Sequence, residues 1–143
     1  MAKKNLSETW KQFSMQLDNA CQNALVSYHD FRLWITQTLQ DIQEKKFAFY
    51  MVIGPSIENK EQKLDVFLHI KNMVYVFTEY SDSKKFGGYS LTNLAGYFED
   101  IEKGKITVNL IFPEGFRIFI EDYVENTKKL RDFTKNILTF ITG

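Results

Sequence analysis

The chain has little cysteine, proline and glycine, and these shortages limit what it can be. One of its 143 residues is a cysteine, Cys21, so no disulfide can form within the chain. Two prolines and seven glycines mark few turns, and no low-complexity segment or repeat of solenoid length is present. The length and composition therefore predict one globular domain with a single substantial hydrophobic core.

An excess of one charge is also missing. Eighteen Lys and Arg residues balance eighteen Asp and Glu residues, so no global field attracts nucleic acid or an anionic membrane. No apolar run approaches the roughly 20 residues that span a bilayer, and no signal peptide begins the sequence. We therefore expect a cytoplasmic protein that binds no nucleic acid.

Aromatic residues are abundant by contrast, with 13 Phe and 7 Tyr. Such a composition argues against disorder and favours a densely filled sheet core. The pattern along the chain predicts an α+β protein with a helical segment over residues 1–45. Residues 46–143 are predicted to form an antiparallel β domain of five to seven strands with a C-terminal amphipathic helix, in one structural unit with the helical segment.

Residues 5–42 contain neither Gly nor Pro, and their apolar residues recur every three or four positions, which predicts helix. Asn5 and Glu8 have the spacing of a capping box at its start. Two interpretations are open: one continuous or gently kinked helix, or an antiparallel helical pair separated by a second cap at Ser27 and Asp30. We expect the continuous helix, because no strong helix breaker lies in this segment.

A continuous helix would be longer than the remaining domain is wide, and a second copy of the chain could cover the surplus. Trp10, Phe13 and Leu17 begin the apolar stripe and are the residues predicted to contact such a partner. Leu25, Leu33 and Trp34 lie off the stripe, so the second half of the segment has a broader apolar surface than a two-stranded seam requires.

Two apolar hairpins form the predicted centre of the sheet. Residues 63–77 alternate between two faces and turn at Lys71-Asn72, where Asn tolerates the positive φ of a tight turn. Residues 106–120 repeat this pattern around Pro113-Glu114-Gly115. Residues 47–53 form a further apolar run that ends at Gly54-Pro55.

Residues 90–102 fit two structures. Leu91, Leu94, Phe98 and Ile101 fit a helix that Ser90 would cap, whereas Gly96 weakens a helix and the segment could equally be strand. The last segment, from about residue 126 to 141, has apolar residues on one face and predicts an amphipathic helix.

No catalytic or metal-binding pattern is present in the sequence. His29 and His69 lack the spacing of metal ligands, and Cys21 lies within the helical stripe as a small apolar residue. No Gly-x-Ser-x-Gly elbow and no glycine-rich phosphate loop occurs. The sequence therefore predicts no enzyme, no cofactor and no metal.

The order of these segments resembles the pleckstrin-homology domain over residues 46–143. The hairpin at residues 64–77, Gly-Gly-Tyr-Ser-Leu at 87–91, the strands on either side of Pro113-Glu114-Gly115 and the closing helix carry the resemblance. It implies a bent seven-stranded sandwich that the helix caps at one end, and binding of phosphoinositides or proteins rather than catalysis.

The sequence departs from that family at two positions. The closing helix usually carries a Trp, and Phe133 stands in the corresponding place. Lipid-binding members carry a Lys/Arg-x-Arg motif on the first strands. Here Lys63 occupies the first position of that motif, and Asp65 occupies the position of the final Arg. A carboxylate at that position would repel an inositol phosphate.

Four lysines could still gather at the open end of such a sandwich, where a ligand or partner would meet them. They are Lys60, Lys63, Lys84 and Lys85. We therefore expect a non-enzymatic binding or adaptor module for a protein partner, with the N-terminal helix as docking or dimerisation element and with phosphoinositide binding disfavoured by Asp65.

Two alternatives remain open. A helix over residues 90–102 would give an order that resembles the small dimeric chaperones of bacterial secretion systems, which bind extended client segments. A closed pocket in a curved sheet, holding a titratable residue, would instead favour a small-ligand-binding or enzymatic protein.

Overall fold

The computed structural model describes residues 5–56 and 59–142, without the side chains of residues 140–142. These residues form an α+β protein, as the sequence predicts. The α-helices are α1 (Glu8–Ala24), α2 (Tyr28–Thr38) and α3 (Thr127–Thr142). The strands are β1 (Ala48–Ile53), β2 (Gln62–Ile70), β3 (Met73–Tyr80), β4 (Lys84–Ser90), β5 (Gly96–Glu102), β6 (Lys105–Ile111) and β7 (Arg117–Tyr123).

The strands divide into two antiparallel sheets. The first has four strands in the order β1-β2-β3-β4, and the second has three in the order β5-β6-β7. Phe49 of β1 faces Leu68 of β2 in the first sheet. Val108 of the central strand β6 faces Glu99 on one side and Ile120 on the other. Both sheets thus follow chain order, because each strand pairs with the next one across a short connection.

The expected continuous N-terminal helix is wrong: the segment forms two helices, and the second begins at the predicted cap of Ser27 and Asp30. Helix α1 ends where Leu25 adopts the left-handed conformation, with φ 59° and ψ 44°. Helix α2 then begins under the Ser27 cap, whose hydroxyl accepts a hydrogen bond from the Asp30 N–H at 3.2 Å. The first cap also differs from the predicted one, since Ser7 rather than Asn5 accepts the Trp10 N–H at 3.0 Å.

Residues 90–102 form strand rather than a long helix. A short 3₁₀ turn, Leu91–Asn93, precedes β5, which starts at Gly96. The order with a helix over this segment, on which the chaperone-like interpretation depends, is therefore wrong. The Lys71-Asn72 hairpin turn is present, but the positive φ of 54° lies at Lys71 rather than at Asn72.

Among the described residues, the first compact unit consists of residues 5–56, 59–71 and 75–87. Helix α1 contacts α2, β1 and β2 in this unit. Its core joins the apolar stripe of the two helices to alternate residues of the sheet, including Leu64, Val66, Leu68 and Phe77, each with no exposed surface. The period of two in β2 and the period of 3.6 in α1 thus supply the two sides of one core.

The turn between β1 and β2 requires glycine at position 54. A Cβ atom there would lie 2.2 Å from the carbonyl oxygen of Gln62, far inside van der Waals contact. The Gly54 N–H donates to the Lys63 carbonyl at 2.9 Å, which extends the pairing beyond the strand ends. The missing side chain allows the two backbones to meet.

Among the described residues, the second compact unit consists of residues 72–74 and 88–142. Helix α3 contacts β7 and the 3₁₀ turn at Leu91–Asn93. The buried apolar residues of the unit alternate along β6 and β7 and recur along α3: Ile106, Val108, Leu110, Ile118, Ile120, Leu130, Phe133 and Ile137. The predicted amphipathic helix therefore buries its apolar side, as its period indicates.

Candidate binding surface

The four lysines predicted as binding residues lie at one end of the four-stranded sheet. Lys60 and Lys63 flank the start of β2, and Lys84 and Lys85 begin β4. Backbone hydrogen bonds connect the end of β3 to the residues that precede β2 and to those that precede β4. The Ser81 N–H donates to the Glu61 carbonyl at 2.9 Å, and the Tyr80 N–H donates to the Ser83 carbonyl at 2.8 Å. We call this region the lysine end.

Carboxylates offset much of the positive charge at the lysine end. Lys60, Lys84 and Lys85 are exposed and Lys63 is half-buried, but Glu61 and Asp82 are exposed in the same turns. The Lys84 Nζ atom lies 3.8 Å from Glu79 Oε1. Because exposed charges of opposite sign lie side by side, the lysine end lacks the strong field that a multiply charged phosphate ligand favours.

A polar cluster around Asp65 lies next to the lysine end. Asp65 accepts hydrogen bonds from the Thr78 hydroxyl and, at 2.6 Å, from the Gln62 amide. Burial raises the pKa of Asp65 to about 6, although both hydrogen bonds favour the charged form. Burial and the charge of Asp65 also raise the pKa of Tyr80. Asp65 is thus a largely buried residue whose carboxylate is held by hydrogen bonds within the sheet.

A groove runs beside helix α2 near the start of β4. Its volume is about 290 Å³ and it is open to solvent rather than closed. Residues of α2 and the first residue of β4 line it: Asp30, Leu33, Trp34, Gln37 and Lys84. Strand β4 is an edge of the four-stranded sheet. We call this feature the α2–β4 groove.

Trp34 is the fixed aromatic residue of the α2–β4 groove. Its ring meets Phe77 edge to face, with 5.0 Å between centroids, and Phe31 at 5.3 Å. The Lys84 ammonium lies 5.5 Å from the centre of the Trp34 ring. The side chain of Leu33 beside it is 43% exposed. A large aromatic held on two sides and accessible from a groove is a typical anchor for a binding partner.

The predicted contact residues of the N-terminal helix lie in the core. Trp10 is 2% exposed, and Phe13 and Leu17 have no exposed surface. The Phe13 ring contacts Phe47 and Phe49 at the start of the first sheet, with centroids 5.4 and 5.2 Å apart. Helix α1 therefore uses its apolar stripe to bind its own sheet, which leaves these three side chains no surface for a partner.

The remaining titratable residues of interest are held in structural roles. His69 Nε2 lies 2.8 Å from the Lys71 carbonyl, and burial lowers the pKa of the imidazole. Cys21 is buried, which raises the pKa of its thiol to about 12. Within residues 5–56 and 59–142, no group of three His, Cys, Asp or Glu side chains is placed to hold a metal ion.

Among the residues that the structure describes, no helix is both long and apolar enough to cross a membrane. No family model matches the chain, and neither a curated protein nor a solved structure shows significant similarity to it.

Two apolar residues in the sequence indicated this groove, but the helical periodicity alone did not show that they would line a binding surface. Leu33 and Trp34 stand off the apolar stripe of the helical segment, and the structure places both at the groove. Their proximity to Lys84 could not be predicted, because it depends on the break at Leu25 that directs α2 across the sheet toward β4.

Proposed function

We propose that the chain is a non-enzymatic binding module whose partner is an extended protein segment held in the α2–β4 groove. The observation that carries the proposal is Trp34, fixed by Phe31 and Phe77 and accessible beside a sheet edge. An apolar side chain of the segment would contact Leu33 and Trp34. An acidic side chain of the segment would meet Lys84, which lines the groove.

The edge position of β4 supports an extended partner over a helical one. An edge strand presents backbone N–H and C=O groups along one side, and an extended segment can pair with them as an added strand. Main-chain hydrogen bonds then supply affinity, and a side-chain groove supplies specificity. The α2–β4 groove lies beside β4, where such a segment would place every second side chain.

The sheet order supports a pleckstrin-homology-like architecture for this module. Four strands in one sheet, three in the next and a closing helix follow each other in residues 48–142. Phe133, which stands where that family usually has Trp, is a buried residue of the closing helix. The proposal of a binding role follows from both this architecture and the α2–β4 groove.

The test selects ten-residue displayed peptides on the immobilised full chain and measures the affinity of the enriched peptides in solution. We expect enrichment of peptides with an apolar residue close to Asp or Glu. Leu33→Glu and Lys84→Glu should each weaken binding about tenfold, a loss of about 1.4 kcal/mol. Lys46→Glu, an exposed residue before β1, is the matched charge control and should change affinity by less than about twofold.

Two outcomes would overturn the protein-binding function. One is selection that yields no peptide above background, or peptides whose affinity both groove variants leave unchanged. The other is selective binding of the chain to vesicles that contain phosphoinositide, compared with vesicles that lack it. Because Asp65, Glu61 and Asp82 counter the lysine end, we expect equal and negligible binding to both vesicles.

A further inference from the structure

The three-stranded sheet has one face that departs from the usual pattern of an antiparallel sheet. Such sheets commonly bury one face and present polar residues on the other. Here Val108, Leu110 and Ile120 are fully buried on one face. The opposite face, which we call the outer face, carries Phe98 and Phe119 on either side of Asn109 in one cross-strand row. Phe98 is 39% exposed and Phe119 is half-buried.

On β7, the residues on either side of Phe119 on the outer face carry opposite charges. Arg117 lies two residues before Phe119, and Glu121 lies two residues after it, so all three share the outer face. Arg117 is exposed, with its guanidinium carbon 4.9 Å from the centre of the Phe119 ring. Glu121 accepts a hydrogen bond from Lys105 Nζ at 3.3 Å, and its side chain is 14% exposed.

From this pattern we propose that the outer face binds the same face of a second copy of the chain. A two-fold axis along the Phe98–Asn109–Phe119 row brings each Phe against its equivalent and places Arg117 of one copy opposite Glu121 of the other. The same operation sets Gly96 opposite Asp100. The face is thus complementary to itself in charge along β7.

Net charge places no barrier against this pairing. The formal charge of the chain is zero at pH 7, so two copies do not repel each other as a whole. The area of the face limits its strength. Three strands about 4.8 Å apart with four side chains each offer roughly 400 Å² per copy, about half of a standard interface. The dimer is therefore weak and reversible, populated at hundreds of micromolar, on the order of 10⁻⁴ M.

Charge exchange on the outer face tests the pairing, and circular dichroism of each variant checks its folding, because Glu121 also binds Lys105 within the chain. Sedimentation velocity of the full chain from about 20 μM to about 1 mM measures the dissociation constant. We expect Arg117→Glu to weaken association at least about tenfold, because it sets two acidic residues against each other. Arg117→Glu combined with Glu121→Arg restores opposite charges across the axis and should recover the affinity to within about threefold.

Lys128→Glu is the matched control, because Lys128 is exposed on α3 and the change in net charge is the same as in Arg117→Glu. It should change the dissociation constant by less than about twofold. A chain that stays monomeric up to about 1 mM would overturn the proposal. So would a dimer that Arg117→Glu leaves intact, or one that the exchanged pair, shown to be folded, does not recover. These results are independent of peptide binding in the α2–β4 groove.

Discussion

Asp65 is a buried carboxyl group whose negative charge opposes folding once the pH exceeds the pKa of the unfolded chain. Its pKa is raised by burial from 3.8 to about 6 in the folded chain. Between these values the folded state binds a proton that the unfolded state has lost, so this group makes folding less favourable as the pH rises from about 4 to about 6. The cost is fully present at pH 7 and absent below the unfolded pKa.

We therefore predict that Asp65→Asn stabilises the protein at pH 7. The Thr78 hydroxyl can still donate to the amide oxygen, and the Gln62 amide can turn to accept from the new NH₂ group. The gain should be on the order of 3 kcal/mol at pH 7, since the pKa is raised from 3.8 to about 6 and each pKa unit corresponds to about 1.4 kcal/mol, and it should nearly vanish at about pH 4. Urea unfolding at both pH values measures it.

The comparison with the parent chain removes the contribution of His69. Burial lowers the pKa of His69, so the unfolded state binds the proton first and stability from this group falls as the pH drops below about 6.5. That loss is common to both chains and cancels in the difference. Asp82→Asn, in an exposed turn, is the control and should change stability little at either pH. A loss of stability in Asp65→Asn at pH 7 would contradict the prediction.

The break between α1 and α2 is an element-scale feature that rests on a strained residue. Leu25 has a left-handed backbone and is 83% exposed, and its N–H bonds to the carbonyls of Cys21 and Gln22. A side chain with a Cβ costs about 1 to 2 kcal/mol in this conformation, which glycine adopts freely. Natural helices commonly place Gly at this position.

We predict that Leu25→Gly raises the stability of the chain by about 1 kcal/mol, because it removes the strain and keeps both hydrogen bonds. Leu25→Ala is the matched control, since it removes the exposed apolar side chain but keeps the strained backbone, and it should match the parent. Thermal unfolding followed by circular dichroism measures both. A glycine variant that melts below the alanine variant would show that backbone strain is not the controlling factor.

The elements that the sequence predicted well are those with a clear period or a cap. The alternation in β2 and the helical period of α3 correctly placed both elements, and Ser27 with Asp30 marked the start of α2. The end of α1 carried no such signal, because Leu25 is a poor candidate for a left-handed turn by its residue type. Tertiary packing of two short helices on one sheet outweighs that local cost.

At the scale of the whole molecule, the order of strands and loops along the sequence was enough to predict that the four lysines lie at one end of the sheet. Antiparallel neighbours put the start of β2, the end of β3 and the start of β4 together. The α2–β4 groove was not predictable in this way, because Trp34 and Lys84 meet only through the path of α2 over the sheet. Contacts between elements distant in sequence require the three-dimensional arrangement, which periodicity does not supply.

The two compact units carry different spectroscopic probes. Both tryptophans, Trp10 and Trp34, and the single thiol of Cys21 belong to the core of the first unit. Tyr97 and Tyr123 belong to the second. Tryptophan fluorescence and thiol reactivity therefore report the same helical pair and sheet, whereas far-ultraviolet circular dichroism reports both units.

We predict that Cys21 is unreactive toward a disulfide reagent at about pH 8 in the native chain, because it is buried and its pKa is raised to about 12. In urea, its reactivity and the fluorescence of Trp10 and Trp34 should change with the same midpoint, since one core holds all three. Cys21→Ser should show no reaction at any urea concentration, which assigns the signal to this thiol. Labelling well below the fluorescence midpoint would instead show that α1 opens by itself while the sheet stays folded, and would contradict a single cooperative core in the first unit.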